Sequence, residues 1–151
     1  MNIGQICSRG IVSVQEGATV SEVAQLMRSH NVGAIVVVGT RTGQPVARGI
    51  ITDRDIIRAQ LEHTMDLSGL AAFGIMTADP LVLGEDTGVD DAMEMMLQHG
   101  VRRAPVTDLH GSLIGLISTD DLIAQVAREL GSLARLLELQ PTVERISASL
   151  P

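Results

Sequence analysis

Two similar stretches decide the fold of this chain: GIITDRD at residues 49–55 and GLISTDD at residues 115–121. Each begins with glycine and two aliphatic residues, and continues with Thr or Ser and an aspartate three positions later. The aliphatic part predicts the end of a strand, and the Ser/Thr-x-x-Asp part predicts the start of a helix. The chain therefore contains two copies of one strand-to-helix unit.

The resemblance between the two halves extends well outside these stretches. At an offset of 69 positions, seven residues of the first half recur in the second: Ile6, Glu16, Val20, Met27, His30, Val32 and Val37 fall on Ile75, Glu85, Val89, Met96, His99, Val101 and Val106. The offset falls to 66 at Gly49 and Gly115. A polar loop of different length explains this change, and turn-forming residues predict it at Gly39 to Pro45 and at Asp108 to Ser112.

Each half has the pattern of a β-α-β-β-α unit. Apolar residues at helical spacing, Val20, Val23, Ala24 and Met27 and then Val89, Ala92, Met93 and Met96, predict amphipathic helices. Strands are predicted at Ile11–Val14, Ala34–Val38, Val46–Ile51, Leu81–Leu83, Ala104–Thr107 and Leu113–Ile117, and final helices at Asp53 to about Glu62 and Thr119 to about Leu130. The uninterrupted aliphatic run at Ala34–Val38 predicts a strand covered on both faces.

The fold class predicted from these elements is α/β (α+β), with two units packed pseudo-symmetrically through their sheets, because a unit of roughly 60 residues has little interior of its own. We expect one domain at residues 1–63, a second at 68–130 and a helical appendage at 131–151. In the appendage, Leu133, Leu136 and Leu137 predict a short apolar helix ended by Pro141. Such a helix favours an oligomer contact, and we expect a homodimer.

Composition excludes several classes of partner. Eleven basic and eighteen acidic residues leave a net charge of −7, which opposes binding to nucleic acid or to an anionic membrane. Phe73 is the single aromatic residue, so a planar ligand must pack against aliphatic side chains or arginine. One cysteine and no CxxC spacing give neither a disulfide nor a zinc pattern. With no apolar run long enough for a span, we expect a soluble cytoplasmic protein.

The Ser/Thr-x-x-Asp motifs have two interpretations. They have the form of a capping box, in which the hydroxyl and the carboxylate satisfy the free amides of a helix N-terminus. Thr19 and Glu22 have the same form and are expected to be only a cap. The pair at Thr52 and Ser118, however, follows the C-terminal ends of strands, where α/β proteins usually bind ligands. A helix N-terminus there favours phosphate, and a carboxylate one turn along can accept hydrogen bonds from ribose.

Together with these motifs, the stretches IMT at 75–77, PLV at 80–82 and HGVRRAPV at 99–106 resemble a tandem pair of CBS (cystathionine-β-synthase-type) domains over residues 1–130. The resemblance implies two clefts that bind AMP, ADP, ATP or related adenosyl compounds as regulatory ligands. It further implies three kinds of contact: phosphate with Thr52 and Ser118, ribose with Asp55 and Asp121, and adenine with the backbone near Ala34, Ile35, Ala104 and Pro105.

Arg102 and Arg103 precede a predicted strand and could present their donors to phosphate. The alternatives are a solvated turn or an ion pair with a neighbouring carboxylate. The first half has Gly33 and Ala34 at the equivalent positions. We therefore expect the arginines to act with Ser118 and Asp121, and that site to bind phosphate-bearing ligands more tightly.

Two functions remain open at this point. The first is a non-catalytic sensor that passes its nucleotide-bound state to an unknown effector protein, and the second is an assembly module whose clefts stay empty. An enzyme is not expected, because no nucleophile-base pair or metal-ligand cluster is present and no cofactor is required. We expect structural roles for His30 and His99 at helix ends and for Cys7 as a buried thiol.

Overall fold

The computed structural model describes residues 1–62 and 66–148, with side chains up to residue 139. The first half contains β1 (Ser13–Gln15), α1 (Val20–His30), β2 (Ala34–Arg41), β3 (Gln44–Thr52) and α2 (Asp53–Glu62). The second half contains β4 (Thr77–Ala78), β5 (Leu83–Gly84), α3 (Val89–Gln98), β6 (Arg103–Thr107), β7 (Leu113–Ser118) and α4 (Thr119–Ala148). The predicted β-α-β-β-α order is confirmed in both halves.

Two small sheets form the centre of the molecule. One has the strand order β1-β2-β3-β4, and the other has the order β5-β6-β7. In each sheet the first pair, β1 with β2 and β5 with β6, is parallel, and the following hairpin is antiparallel. The side chains of β2 from Ile35 to Val38 are all buried, which confirms a strand covered on both faces.

The amphipathic helices pack on these sheets as their spacing predicts. In α1, Val20, Val23 and Met27 are buried, whereas Ala24 lies at the edge of this face and is exposed. The helix begins at Thr19, which forms the expected capping box with Glu22. In α3 the buried residues are Val89, Ala92 and Met96.

The short segment that leads into each half, residues 2–8 and 71–78, packs on the opposite half. Ser8 forms an antiparallel bridge with Leu116 of β7, and β4 pairs with β3. Ile3 and Cys7 lie in the core of the second half. Correspondingly, Ala72, Ile75 and Met76 pack in the core of the first. The two halves therefore exchange these lead-in segments, a feature that the sequence pattern did not predict.

The exchange explains why the repeated motif begins with glycine. A Cβ atom on Gly49 would lie 2.9 Å from the carbonyl oxygen of Thr77, and one on Gly115 would lie 2.6 Å from Sγ of Cys7. Real Cβ atoms do not make contacts this short. A side chain at either position would therefore displace the lead-in segment that crosses it.

Two sequence predictions of secondary structure are wrong. The loop predicted at Gly39 to Pro45 is mostly strand, because Thr42 and Gly43 both have positive φ (48° and 83°) and form a two-residue turn that suits a tight hairpin. The predicted breaks at residue 131 and at Pro141 do not end the last helix, since α4 is continuous from Thr119 to Ala148. A helix of this length contains enough other backbone hydrogen bonds to continue past single weak positions.

Candidate functional site

Both Ser/Thr-x-x-Asp motifs form capping boxes. Oδ2 of Asp55 accepts hydrogen bonds from the backbone N–H (2.8 Å) and the hydroxyl (2.9 Å) of Thr52. Oδ2 of Asp121 accepts the same pair from Ser118, at 2.8 and 2.6 Å. Each hydroxyl accepts in return from the backbone N–H of its aspartate, at 3.2 and 3.3 Å. The structural interpretation of these motifs is therefore confirmed.

The capping geometry leaves part of each carboxylate available. Oδ1 of Asp55 and Oδ1 of Asp121 accept no hydrogen bond within the described part of the chain. Both aspartates are half-buried, and each lines a cleft. A cap of this kind holds the second oxygen in a fixed direction, so each motif can cap a helix and accept a ligand's hydroxyl group at the same time.

Cleft 1 has a volume of about 360 Å³ and lies where the β3–α2 junction faces the second half. The first half contributes Ile50, Thr52, Asp53, Arg54 and Asp55, and the second contributes Thr77, Pro80, Leu81, Val101, Arg102 and Arg103. Its walls are aliphatic and its charged groups are grouped around the start of α2. This arrangement suits a ligand with a planar apolar part and a charged part.

Cleft 2 has a volume of about 230 Å³ and lies at the β7–α4 junction. Its lining is Ser8, Gly10, Ile11, Val12, Val32, Gly33 and Ala34 from the first half, with Leu116, Ser118, Asp121 and Arg103 from the second. Most of these positions are the repeat counterparts of residues in cleft 1. The two clefts are therefore pseudo-symmetric, and each is built from both halves.

The expected grouping of the two arginines with Ser118 and Asp121 is observed for Arg103 but is wrong for Arg102. Arg102 lines cleft 1, beside Thr52 and Asp55, and Arg103 lines both clefts. The reason is the packing of the halves: the loop before β6 faces the β3–α2 junction of the first half. By the same symmetry Gly33, the counterpart of Arg102, lies in cleft 2. The cation-rich site is therefore cleft 1.

The arginines of cleft 1 are available for a ligand. Among the described side chains, the one salt bridge joins Arg48 to Glu16 (2.8 Å), and none involves Arg54, Arg102 or Arg103. The alternative of an ion pair is thus not observed for these residues. The carbonyl oxygen of Arg102 accepts hydrogen bonds from the backbone N–H and hydroxyl of Thr119, at 2.9 and 3.2 Å. This fixes the backbone while the Arg102 side chain stays exposed.

The residues expected to contact adenine are only partly brought to the clefts. Ala34 lines cleft 2, but Ile35, Ala104 and Pro105 are fully buried in the central strands and line neither cleft. The apolar walls instead come from residues that the motif analysis did not select as ligand contacts: Ile50, Pro80, Leu81 and Val101 in cleft 1, and Ile11, Val12, Val32 and Leu116 in cleft 2. The sequence did indicate the character of these walls, because the near absence of aromatic residues predicted an aliphatic lining.

Other candidate groups lie away from the clefts. Nδ1 of His30 contacts the carbonyl oxygen of Leu26, and Nδ1 of His99 contacts that of Met95, as expected for histidines at helix ends. Burial raises the pKa of the Cys7 thiol, while the charge of Arg9 opposes this effect. In the residues that the structure describes, no three His, Cys, Asp or Glu side chains are placed to hold a metal ion. No described helix combines the length and apolar character needed to cross a bilayer.

The model of the CBS domain family matches the chain twice, at residues 3–62 and 72–128. The chain belongs to the CBS-domain family. YhcV, a CBS domain-containing protein of Bacillus subtilis, is 35% identical over 121 residues, which cover 79% of this chain and 81% of YhcV. The chain covers 61%, 70% and 81% of the length of three curated relatives, of which YhcV is the third.

Solved CBS-domain structures have the same fold. A signal-transduction protein with CBS domains from Burkholderia ambifaria, itself described as putative, superposes with a TM-score of 0.70 at 30% identity, covering 83% of this CBS pair and 93% of that chain. CBSX2, solved in complex with AMP, superposes with a TM-score of 0.70 at 19% identity, covering 84% and 97%. Two metabolic enzymes, an acetyltransferase and a dehydrogenase, match the chain over only 25% and 22% of their own length.

Proposed function

We propose that this CBS-domain pair is a non-catalytic regulatory module that binds an adenine nucleotide in cleft 1. The observation that carries the proposal is the group of three arginines, Arg54, Arg102 and Arg103, placed beside the capped start of α2 without a carboxylate partner among the described residues. Unpaired guanidinium groups at a helix N-terminus attract phosphate through both charge and directed donors. The CBSX2 complex supports this choice, because a protein of the same fold holds AMP.

The lining of cleft 1 suggests which part of the nucleotide each group receives. The aliphatic wall of Ile50, Leu81 and Val101 suits the faces of adenine, since no aromatic residue lines the cleft. Oδ1 of Asp55 is free to accept hydrogen bonds from ribose hydroxyls. Arg54, Arg102 and Arg103 then receive the phosphate. AMP, ADP and ATP share all three chemical parts, and all are candidate ligands.

A regulatory function follows from what the clefts contain. In both linings the hydroxyl beside a carboxylate, that of Thr52 or Ser118, is engaged in a helix cap, which favours ligand binding over group transfer. A ligand between two halves that both contribute to its site can instead change how those halves pack. We infer that the nucleotide-bound state is passed in this way to an effector protein, and that the module acts in the cytoplasm.

Calorimetric titration with AMP, ADP and ATP tests the proposal, with adenosine as the ligand that lacks phosphate. We expect nucleotides to bind more tightly than adenosine, and native mass spectrometry of the purified protein to show which one is retained. At a hundredfold excess over its dissociation constant, the ligand should stabilise the fold by about 2.7 kcal/mol. Thermal unfolding that millimolar amounts of every adenine nucleotide leave unchanged would contradict the sensor function.

An assembly function is favoured by a separate observation. On α4, Leu133, Leu136 and Leu137 are 58%, 60% and 68% exposed. Apolar side chains in such a row usually face a partner, and we propose a symmetric homodimer with α1 and α3, or α2 and α4, as its contact faces. Light scattering at micromolar concentration should give the mass of a dimer. The mass of a monomer would refute this arrangement.

A further inference from the structure

One residue, Arg103, breaks the symmetry of the two clefts. Every other lining residue contributes to only one of the two clefts. When its repeat counterpart also lines a cleft, that counterpart contributes to the other one. Arg103 lines both. It is half-buried, and no salt bridge engages it among the side chains that the structure describes.

The repeat itself shows which part of Arg103 reaches the second cleft. Ala34 occupies the equivalent position in the first half and lines cleft 2 alone. The backbone at this position therefore borders one cleft, and only a longer side chain extends to the other. Because the Arg103 side chain borders both clefts, its terminal guanidinium is within one side-chain length of either.

The clefts depend on this cation to different degrees. Cleft 1 also contains Arg54 and Arg102, whereas Arg103 is the sole cation among the described residues that line cleft 2. The counterparts of the two other arginines are Asp120, which does not line cleft 2, and Gly33, which has no side chain. A phosphate in cleft 2 can therefore be paired with a guanidinium only when Arg103 is directed there.

We propose that Arg103 makes the two clefts compete, so that a phosphate-bearing nucleotide bound in cleft 1 weakens the binding of a second one in cleft 2. The inference rests on the proposed nucleotide binding and adds its regulation. Cleft 1 fills first because it has three arginines, and its phosphate then engages Arg103. Loss of one charge-assisted hydrogen bond corresponds to about tenfold or more in dissociation constant. The coupling is reciprocal, as linkage between two binding sites requires.

The test must separate competition from a simple difference between two independent sites. We would measure AMP binding to cleft 2 in the wild-type protein with cleft 1 saturated, and in Thr77→Trp, where the exposed Thr77 becomes an indole that fills cleft 1. Asp55→Ala serves as a second way to disable cleft 1. Titration with adenosine provides the control without phosphate.

We expect AMP to bind cleft 2 about tenfold or more tightly when cleft 1 is disabled than when it is saturated. Adenosine should show no such difference. Arg103→Ala should remove the difference for AMP. Arg102→Ala should leave the dissociation constant of AMP for cleft 2 unchanged when cleft 1 is empty. Equal dissociation constants for cleft 2 in both states would overturn the competition while leaving the proposed function intact. If cleft 1 binds AMP and cleft 2 never does, the competition is overturned as well. Absence of any nucleotide binding would overturn both.

Discussion

The substitution Gly49→Ala tests the exchange of lead-in segments directly. The new Cβ would lie 2.9 Å from the carbonyl oxygen of Thr77 and would also clash with the side chain of Met76. Met76 can change rotamer, but the carbonyl belongs to the backbone of β4, which is hydrogen-bonded to β3. The methyl group must therefore move the strand. Overpacking of this kind typically costs about 1 to 3 kcal/mol of folding free energy.

The assay is chemical denaturation, with thermal unfolding as a second measurement. For a chain of this size each kcal/mol lowers Tm by roughly 2 to 4 °C, so we expect a decrease of about 2 to 12 °C. Gly131→Ala is the matched control, since its Cβ would meet no atom within 4 Å and it lies inside α4. Alanine there should stabilise the helix by about 0.5 to 1 kcal/mol.

The same substitution should also affect one cleft selectively. The residue whose carbonyl meets Gly49 is Thr77, which lines cleft 1. The segment that crosses Gly115 consists of Cys7 and Ser8, and Ser8 lines cleft 2. Gly49→Ala should weaken nucleotide binding in cleft 1, and Gly115→Ala in cleft 2. If Gly49→Ala unfolds at the wild-type denaturant concentration, the tight crossing of β4 over β3 is refuted.

Two further predictions concern single side chains. Arg102→Ala removes a charged donor, so it should raise the dissociation constant for AMP by about tenfold or more and leave that for adenosine unchanged. The free energy of unfolding of this variant should change by no more than about 0.5 kcal/mol. Arg41→Ala, on the exposed hairpin, is the control. The pKa of the Cys7 thiol is raised above its ordinary value of 9.0, so the unfolded chain ionises first as pH rises. The folding free energy should be unaffected by this group below about pH 9 and decrease above it, and Cys7→Ser should remove that decrease in denaturation curves compared at pH 8 and pH 10. An unchanged difference between wild type and Cys7→Ser across this range would contradict burial of the thiol.

The elements of the fold were predictable because their signals are local. Periodic apolar residues located α1 and α3, and the run at Ala34–Val38 identified a strand buried on both faces. The hairpin at Thr42 and Gly43 was not identified, because a threonine with positive φ is uncommon and its polar neighbours resemble a longer loop. The extent of α4 was missed for the opposite reason, since Pro141 is a strong local signal that the rest of the helix overrides.

The candidate site was predictable in its parts but not in its assembly. The motifs at Thr52 and Ser118 were recognised from the sequence alone, and both lie in clefts. Their partners depend on which half faces which, and nothing local in Arg102 encodes its position opposite Thr52. The exchange of lead-in segments, which sets this arrangement, consists of a few residues whose pairing partners are distant in sequence.

That exchange also constrains how the chain can acquire its structure during synthesis. Ile3 and Cys7 leave the ribosome well before the second half, yet the surfaces that bury them include β7 and α3 of that half. Until Leu116 has emerged, the N-terminal segment has no strand to join. Pairings between such distant positions close late, since the entropy of a long loop must be offset before they form. The core of the first half thus needs the chain only as far as β4, whereas residues 2–8 can dock only when nearly the whole of the second half has been translated.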